Sequence, residues 1–377
     1  MPENDTLFVF PPHTDAKHRI LRKYIEAWAP ILCQSSSTRG RVVYIDGFAG
    51  PGEDITQSKI GSPLIALEAV ANHSLANRFR SEVVFYFIEK NMKRAQHLES
   101  IILRKFSDLP SWIKWEVEKG RDFNNALNDV LVSVRARGSH LAPTFCFVDP
   151  FGWQDLNYGT LSNLMREPRS ELLITFMSGF MNRFLESERH QESLINIFSD
   201  TQMGELKNTV VVEERTELML YFFAENLKSK CGGSNDQKEL YSIGFRTRDH
   251  NNNTLYHLLY LTSNEKGMDV MKKAMYTVAR DGSYLFSDFE FNPTQKSLLD
   301  YSNEKIWIGD AAEEVRQRFK GREVSQTELQ RFVTCYTKWI FEKKILRVLE
   351  QNGDLEYKGK RFRKFTYPDD NASIIFR

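Results

Sequence analysis

The sequence predicts an α/β protein: a mostly parallel sheet covered by helices, closed by a terminal antiparallel hairpin, and followed by a winged helix-turn-helix unit. Three observations carry this. Short apolar runs rich in β-branched and aromatic residues alternate five times with helix-periodic segments over residues 42–176. Such alternation builds a parallel sheet with right-handed crossovers. Two further runs, 240–248 and 254–262, are separated only by the turn-forming Asp249-His250-Asn251-Asn252-Asn253, so they pair antiparallel. From about Asn292 the composition shifts, and the order becomes helix, helix, helix, β-hairpin.

Residues 1–14 are polar and proline-bearing and read as an irregular arm. Between Asp15 and Leu32, Ile20, Leu21, Tyr24, Ile25, Trp28, Ile31 and Leu32 recur at helical spacing, with Lys17 and His18 on the first turn. Those two read either as surface residues of a packing helix or as the lip of a ligand pocket. The first strand, Val42-Val43-Tyr44-Ile45-Asp46, runs into Gly47-Phe48-Ala49-Gly50-Pro51-Gly52. Glycine permits positive φ and close backbone approach to a ligand. The loop matches neither G-x-x-x-x-G-K-[ST] nor a clean G-x-G-x-x-G, which argues against a P-loop and weakens a dinucleotide reading.

A helix from about Pro63 to Ala71 leads to the second strand, Val83 to Glu89, and a helix over 91–106 leads to the third, Trp115 to Glu118. Gly120-Arg121-Asp122-Phe123 opens a helix over 124–136. The fourth strand, Thr144 to Val148, exits through Asp149-Pro150-Phe151-Gly152-Trp153, and a helix over 157–166 precedes the fifth, Glu171 to Phe176. Residues 178–212 break the alternation, with a helical stretch near 182–198, and read as an insertion, either extra helical packing or a lid or substrate wall. Helices over 214–229 and 265–280 flank the hairpin.

Asp46, Glu89, Asp122 and Asp149 all fall at or just past strand ends. Ligands of doubly wound sheets bind beyond those carboxyl ends. Four acids placed alike point to an adenosine-type ligand, with the loop bearing Asp46, Gly47, Phe48, Gly50 and Gly52 against it. Glu89 is placed to accept both ribose hydroxyls in charge-assisted hydrogen bonds. Asp122 with Phe123 suits an adenine amine and ring; alternatively, Asp122 simply caps the following helix. In Asp149-Pro150-Phe151-Gly152 the acid can orient an exocyclic amine, the proline stiffens the loop, and the aromatic can stack on a planar base. Those parts hold an amine nitrogen in line with a methyl group and need no strong base.

A net charge of +1 excludes a global field that draws nucleic acid or membrane, so any basic patch is local. Cys33, Cys146, Cys231 and Cys335 are widely separated, which argues against a metal ribbon or a disulfide framework. Cys146 lies within an apolar strand and reads as core. No H-E-x-x-H, G-x-S-x-G or kinase set occurs, the eight histidines show no ligand spacing, and no metal site is expected. With no signal segment and no apolar run of membrane-spanning length, the expectation is a cytoplasmic protein without a membrane partner.

In the tail, residues 307–320 are helical, with Ala311, Val315 and Phe319 inward. Ser325-Gln326-Thr327-Glu328 is a capping box opening a helix that continues, either directly or after a turn, through Trp339, Ile340 and Leu346 to Leu349, where Gly353 stops it. Leu355 to Tyr357, a turn at Lys358-Gly359-Lys360, and Arg361 to Tyr367 read as the hairpin. From Lys338 to Lys364 there are nine Lys/Arg against four Asp/Glu, interleaved with aromatics. That is a nucleic-acid footprint, carried by Lys338, Lys343, Lys344, Arg347, Lys358, Lys360, Arg361 and Arg363. A protein-binding winged helix is the alternative.

The Asp46–Gly52 loop, Glu89, Asp122, Asp149-Pro150-Phe151-Gly152 and the terminal hairpin together resemble class I S-adenosylmethionine-dependent methyltransferases, which have a Rossmann-like sheet. The resemblance implies that the glycine loop holds the methionine moiety of S-adenosylmethionine, Glu89 the ribose and Asp122 the adenine, and that Asp149 to Gly152 hold a target amine. The Asp-Pro-Phe-Gly form is more similar to tRNA guanine-N2 dimethyltransferases than to the D-P-P-Y of adenine enzymes, and it lacks the second proline. Tyr44-Ile45-Asp46-Gly47-Phe48-Ala49-Gly50-Pro51-Gly52, Gly61-Ser62-Pro63, Phe87-Ile88-Glu89-Lys90 and Phe147-Val148-Asp149-Pro150-Phe151-Gly152-Trp153 resemble more closely the bacterial three-Cys-motif partner (TcmP) family. That likeness implies a partner carrying a three-cysteine, radical-enzyme-like motif.

The expected organisation is a methyltransferase-like domain over 1–290 and a winged-helix domain over 293–377. The expected function is methylation of an amine nitrogen on a DNA or RNA base, in modification, repair or defence. A non-catalytic nucleic-acid-binding partner is the alternative. A metal-dependent hydrolase or nuclease built on Asp46, Glu89 and Asp149 is a third.

Overall fold

The computed structural model describes residues 7, 12–35, 40–56, 58–231, 239–279, 285–287, 299–368 and 370–377. Those up to 264, with 285–287, pack as one unit; those over 265–279 and from 299 onward pack as a second.

The first unit opens with α1 (Pro12–Cys33), β1 (Arg41–Asp46), α2 (Ser62–Ala71), β2 (Glu82–Glu89), α3 (Met92–Lys105) and β3 (Ile113–Lys119). It continues with α4 (Phe123–Ala136), β4 (Thr144–Val148), α5 (Tyr158–Met165) and β5 (Ser170–Phe176). Next come α6 (Ser178–Arg183), α7 (Gln191–Ile195), α8 (Asp200–Asn208), α9 (Val212–Cys231), β6 (Tyr241–Arg248) and β7 (Thr254–Thr262). The helix α10 (Glu265–Tyr276) then belongs to the second unit, while β8 (Leu285–Ser287) returns to the first.

The sheet runs β3-β2-β1-β4-β5-β7-β6-β8, a Rossmann-like order. Strands β3, β2, β1, β4 and β5 are parallel, β7 is antiparallel to both β5 and β6, and β8 joins β6 in parallel. The order reverses between β1 and β4, which opens a crevice at their carboxyl ends.

Burial explains the strand sequences. Every residue of β4 and β5 is buried, as expected where helices cover both faces. Alternation still sorts their side chains. Phe145 meets Tyr24 of α1, ring centroids 4.7 Å apart, while Cys146 and Val148 join the cluster with Leu161 of α5 and Phe223 of α9. At the edge, β3 exposes Lys114 and Glu116, charges that discourage further pairing. Tyr24 donates to the buried Glu171 of β5 and shares a 2.7 Å hydrogen bond with Tyr260 of β7, tying α1 to the sheet. The insertion forms α6, α7 and α8 rather than one helix over 182–198. Gly179 of α6 packs so tightly on β7 that a Cβ would lie 1.8 Å from the Thr254 carbonyl oxygen.

The second unit adds α11 (Leu299–Phe319), β9 (Glu323–Ser325), α12 (Gln326–Tyr336), α13 (Lys343–Asn352), β10 (Leu355–Tyr357) and β11 (Ser373–Phe376). Its antiparallel sheet runs β10-β11-β9. Ser325 caps α12 by accepting from the Glu328 N–H at 3.0 Å, and Gly353 ends α13 at φ 81°. The return strand of the hairpin lies at Ser373–Phe376 and not at Arg361–Tyr367. Ile374 and Phe376 alternate inward and are buried, whereas residues 362–364 are all exposed and bury no side chain. The buried Lys272 of α10 donates to the carbonyls of Val333, Thr337 and Trp339 at 2.9, 2.6 and 2.9 Å.

Candidate functional site

The β1 exit is fastened on both sides. Gly47 N–H donates to the Phe147 carbonyl at 2.9 Å and Ala49 N–H to the Ile88 carbonyl at 3.0 Å. Glu89 completes the fastening from β2: one oxygen accepts from Gly50 N–H at 2.9 Å, the other from Asn91 N–H at 2.7 Å. The turn this requires puts Gly50 at φ 64° and Gly52 at φ 87°, where only glycine sits without strain. At Gly47 the constraint is space, since a Cβ would fall 2.5 Å from the Phe123 ring.

Asp46 is fully buried beneath this loop. It accepts from Phe48 N–H and from the Tyr44 hydroxyl, each at 3.3 Å. Burial pushes its carboxyl up to about 7, against the pull of the Ser62 and Phe48 hydrogen bonds. Asp122 caps α4 by accepting from Asn125 N–H at 3.0 Å, and its other oxygen accepts from the Asn125 side chain at 2.6 Å. The capping alternative is therefore realised, with the carboxylate still on the cavity wall.

A cavity of about 390 Å³ lies at this edge. Gly47, Phe48, Glu89, Asp122, Phe123 and Phe151 line it, so the expected cofactor loop and the expected target loop face one space. Asp46, Gly50, Gly52, Asp149, Pro150 and Gly152 do not line it; the first three sit behind the wall and brace it. Lys90, Asn91, Arg94, Arg121, Asn124 and Asp155 line it as well. Lys90 and Arg121 stand in runs quoted above without a role of their own; Asn91, Arg94, Asn124 and Asp155 lie on helix starts and loops without a motif. Phe48 and Phe123 present rings 5.7 Å apart, and the Arg94 guanidinium lies 5.6 Å from the centre of the Phe151 ring.

Beyond β4, Asp149 pairs with Lys17 of α1, a lysine 6% exposed. The Lys17 ammonium also lies 5.6 Å from the centre of the Tyr256 ring. Lys17 is therefore not a surface residue, and it does not line the cavity; it is joined to the target loop through Asp149. Burial, then the Lys17 charge, push His18 down to about 3, so it is neutral. Pro150 is buried and Phe151 is 66% exposed. Trp153 donates to Ser193 at 3.2 Å and packs against Phe180, Phe184 and His190, so the insertion braces this loop. Cys146 is fully buried in β4, where burial raises its thiol out of the reactive range. Among the described residues, no group of three or more His, Cys, Asp or Glu is placed to hold a metal ion. Among them too, no helix is long and apolar enough to cross a membrane.

The basic residues of the second unit divide. Lys343, Lys344 and Arg347 lie on the exposed face of α13, although Lys343 also donates to the Tyr367 carbonyl at 2.5 Å and Lys344 lies 3.6 Å from Glu342. Lys338 sits 4.4 Å from the centre of the Trp339 ring. Lys358 pairs with Glu356. Arg361 is a bidentate partner of Glu350, at 2.8 and 2.6 Å, and acts as a structural clamp. Lys360 and Arg363 are exposed on the loop between β10 and β11.

No family model matches the chain. No curated protein matches either. Among solved structures, Trm1 from Pyrococcus horikoshii with S-adenosyl-L-methionine is similar over 99% of this chain and 93% of that one, at 10% identity and a TM-score of 0.42. An O-methyltransferase from Bacillus cereus in complex with SAH is similar over 67% and 82%, at 10% identity and a TM-score of 0.33. A putative O-methyltransferase from Klebsiella pneumoniae is similar over 68% and 92%, at 12% identity and a TM-score of 0.30. Scores this low carry no argument about fold or function, which rest on the strand order and on the site itself.

Proposed function

We propose that the first unit binds S-adenosylmethionine at the crevice between β1 and β4 and methylates an amine nitrogen of a nucleic-acid base. The observation that carries this is the shared cavity: the Glu89-clamped glycine loop and Phe151 of the Asp149–Gly152 loop line one space. The residues suit the cofactor. Glu89 keeps lone pairs for ribose hydroxyls beyond those taken by Gly50 and Asn91. Phe48 and Phe123 offer an apolar wall for adenine, Asp122 an acceptor for its amine, and Gly47 lets the Phe123 ring lie against the loop. When bound, the cofactor supplies an electrophilic methyl group.

The chain's own task is to orient the nucleophile. Lys17 engages one oxygen of Asp149, so an incoming amine donates to the other. The lysine fixes that carboxylate in place, which suits it to orient a nitrogen lone pair. Phe151 stacks on the base plane. The second unit, read as a winged helix from its order helix–strand–helix–helix–strand–strand, supplies affinity through phosphate contacts. The quoted motifs suggest a three-Cys-motif protein as a further partner.

Calorimetry with S-adenosylmethionine and its demethylated product tests the site. Glu89→Ala should weaken binding by roughly 10- to 150-fold, the worth of charge-assisted hydrogen bonds. Asp149→Ala should spare cofactor binding and abolish transfer of labelled methyl groups to total RNA or DNA. Unchanged transfer would end the assignment of Asp149. A second reading, a nucleic-acid-binding partner without chemistry, is favoured by the Lys17 pairing, which already takes one of the two oxygens of Asp149. Cofactor binding with no transfer to any nucleic acid would select it.

A further inference from the structure

We propose that Phe362 is a stacking residue that takes an unpaired base of a single nucleic-acid strand at the tip of the loop between β10 and β11. The inference rests on the nucleic-acid reading of the second unit and adds to it a residue, a binding mode and the form of the strand.

Phe362 is fully exposed, at 103% of its reference area. A lone exposed aromatic is ordinary; this one is not placed in ordinary surroundings. Between Lys358 and Pro368 the chain carries five Lys/Arg and no Asp or Glu. Lys360, Arg363 and Lys364, within two residues of it in the chain, are exposed, so the segment joins an apolar ring to positive charge.

The tip is also held. Arg361, the residue before Phe362, is fixed by both oxygens of Glu350 and lies 5.2 Å from the centre of the Tyr357 ring. The Tyr367 hydroxyl donates to the same Glu350 at 2.7 Å, so one carboxylate fastens both ends of residues 361–367. Gly359 leaves no room for a side chain: a Cβ would lie 2.4 Å from the Tyr357 hydroxyl. The non-glycine Phe365 turns the loop at φ 61°. An aromatic presented on a fastened loop loses little freedom on docking. Phosphates answer the charge and a base face answers the ring, a pairing that proteins binding single strands use.

The test measures anisotropy of a labelled single-stranded oligonucleotide with the full chain across a salt series. Phe362→Ala should weaken binding by roughly 5- to 150-fold with an unchanged salt slope, because stacking releases no counterions. Lys360→Gln with Arg363→Gln should instead flatten the slope by about 1.4, at about 0.7 per phosphate contact on a single strand. Phe362→Trp should keep the affinity, and its added fluorescence should be quenched by the oligonucleotide. Equal affinity of Phe362→Ala and the unaltered chain overturns the stacking role while leaving the wider reading intact. So does added fluorescence in Phe362→Trp that responds to anionic phosphatidylserine vesicles and not to the oligonucleotide. A chain that binds no oligonucleotide at low salt overturns both.

Discussion

Asp46 shows how one buried carboxyl links site and stability. Its pKa in the fold, about 7, lies above its ordinary value of 3.8, so folding favours the protonated form. The stabilisation is full below the ordinary value and is lost as pH rises through about 7. Asp46→Asn has no such dependence. Relative to the unaltered chain, the variant should gain roughly 2–4 kcal/mol between about pH 4 and about pH 8, since a tenfold change in proton affinity is worth about 1.4 kcal/mol. Thermal unfolding across that range checks it; a constant difference would mean that Asp46 is ionised throughout. The same residue marks how far a sequence reaches. Asp46, Glu89, Asp122 and Asp149 were recognisable from their places after apolar runs. That Glu89 fastens Gly50 is nearly local, because β1 and β2 are neighbours in register. The Lys17 partner of Asp149, 132 residues away, was beyond reading from any motif.

Among the elements, α10 separates local from distant causes. Its periodicity predicts a helix, and a helix forms at Glu265–Tyr276. What it serves is set by Lys272, whose ammonium ends on three carbonyls at the close of α12. A cation there meets the negative end of the helix dipole and satisfies groups the helix leaves open. Lys272→Met should destabilise the second unit by about 1–3 kcal/mol, the penalty for leaving buried acceptors unpaired. Chemical denaturation followed by the tryptophans Trp307 and Trp339 reports it; an unaltered midpoint would show that water replaces the ammonium. The hairpin gives the opposite lesson. Residues 361–367 read as a strand from their aromatics, but pairing favoured Ser373–Phe376, whose alternate residues enter the core. Strand propensity yielded to burial.

For the whole molecule, the boundary between units follows packing rather than composition. The composition shift near Asn292 suggests a tail over 293–377, yet α10 packs with that tail. A fragment over 265–377 should unfold cooperatively, whereas one over 293–377 lacks Lys272 and should not. Calorimetric scans of the two decide this, and equal transitions would return the boundary to the composition shift. The sequence alone determined the sheet class, the parallel run with its closing hairpin, and the edge where the acids gather. Periodicity is local, and crossover handedness then sends every strand end to one side. Tertiary structure decided which acids face the cavity and which brace it, which lysine neutralises Asp149, and which arginine became a clamp. Those outcomes depend on side chains far apart in the chain meeting in a low-dielectric interior, where a charge without a partner is unstable and the fold selects the partner.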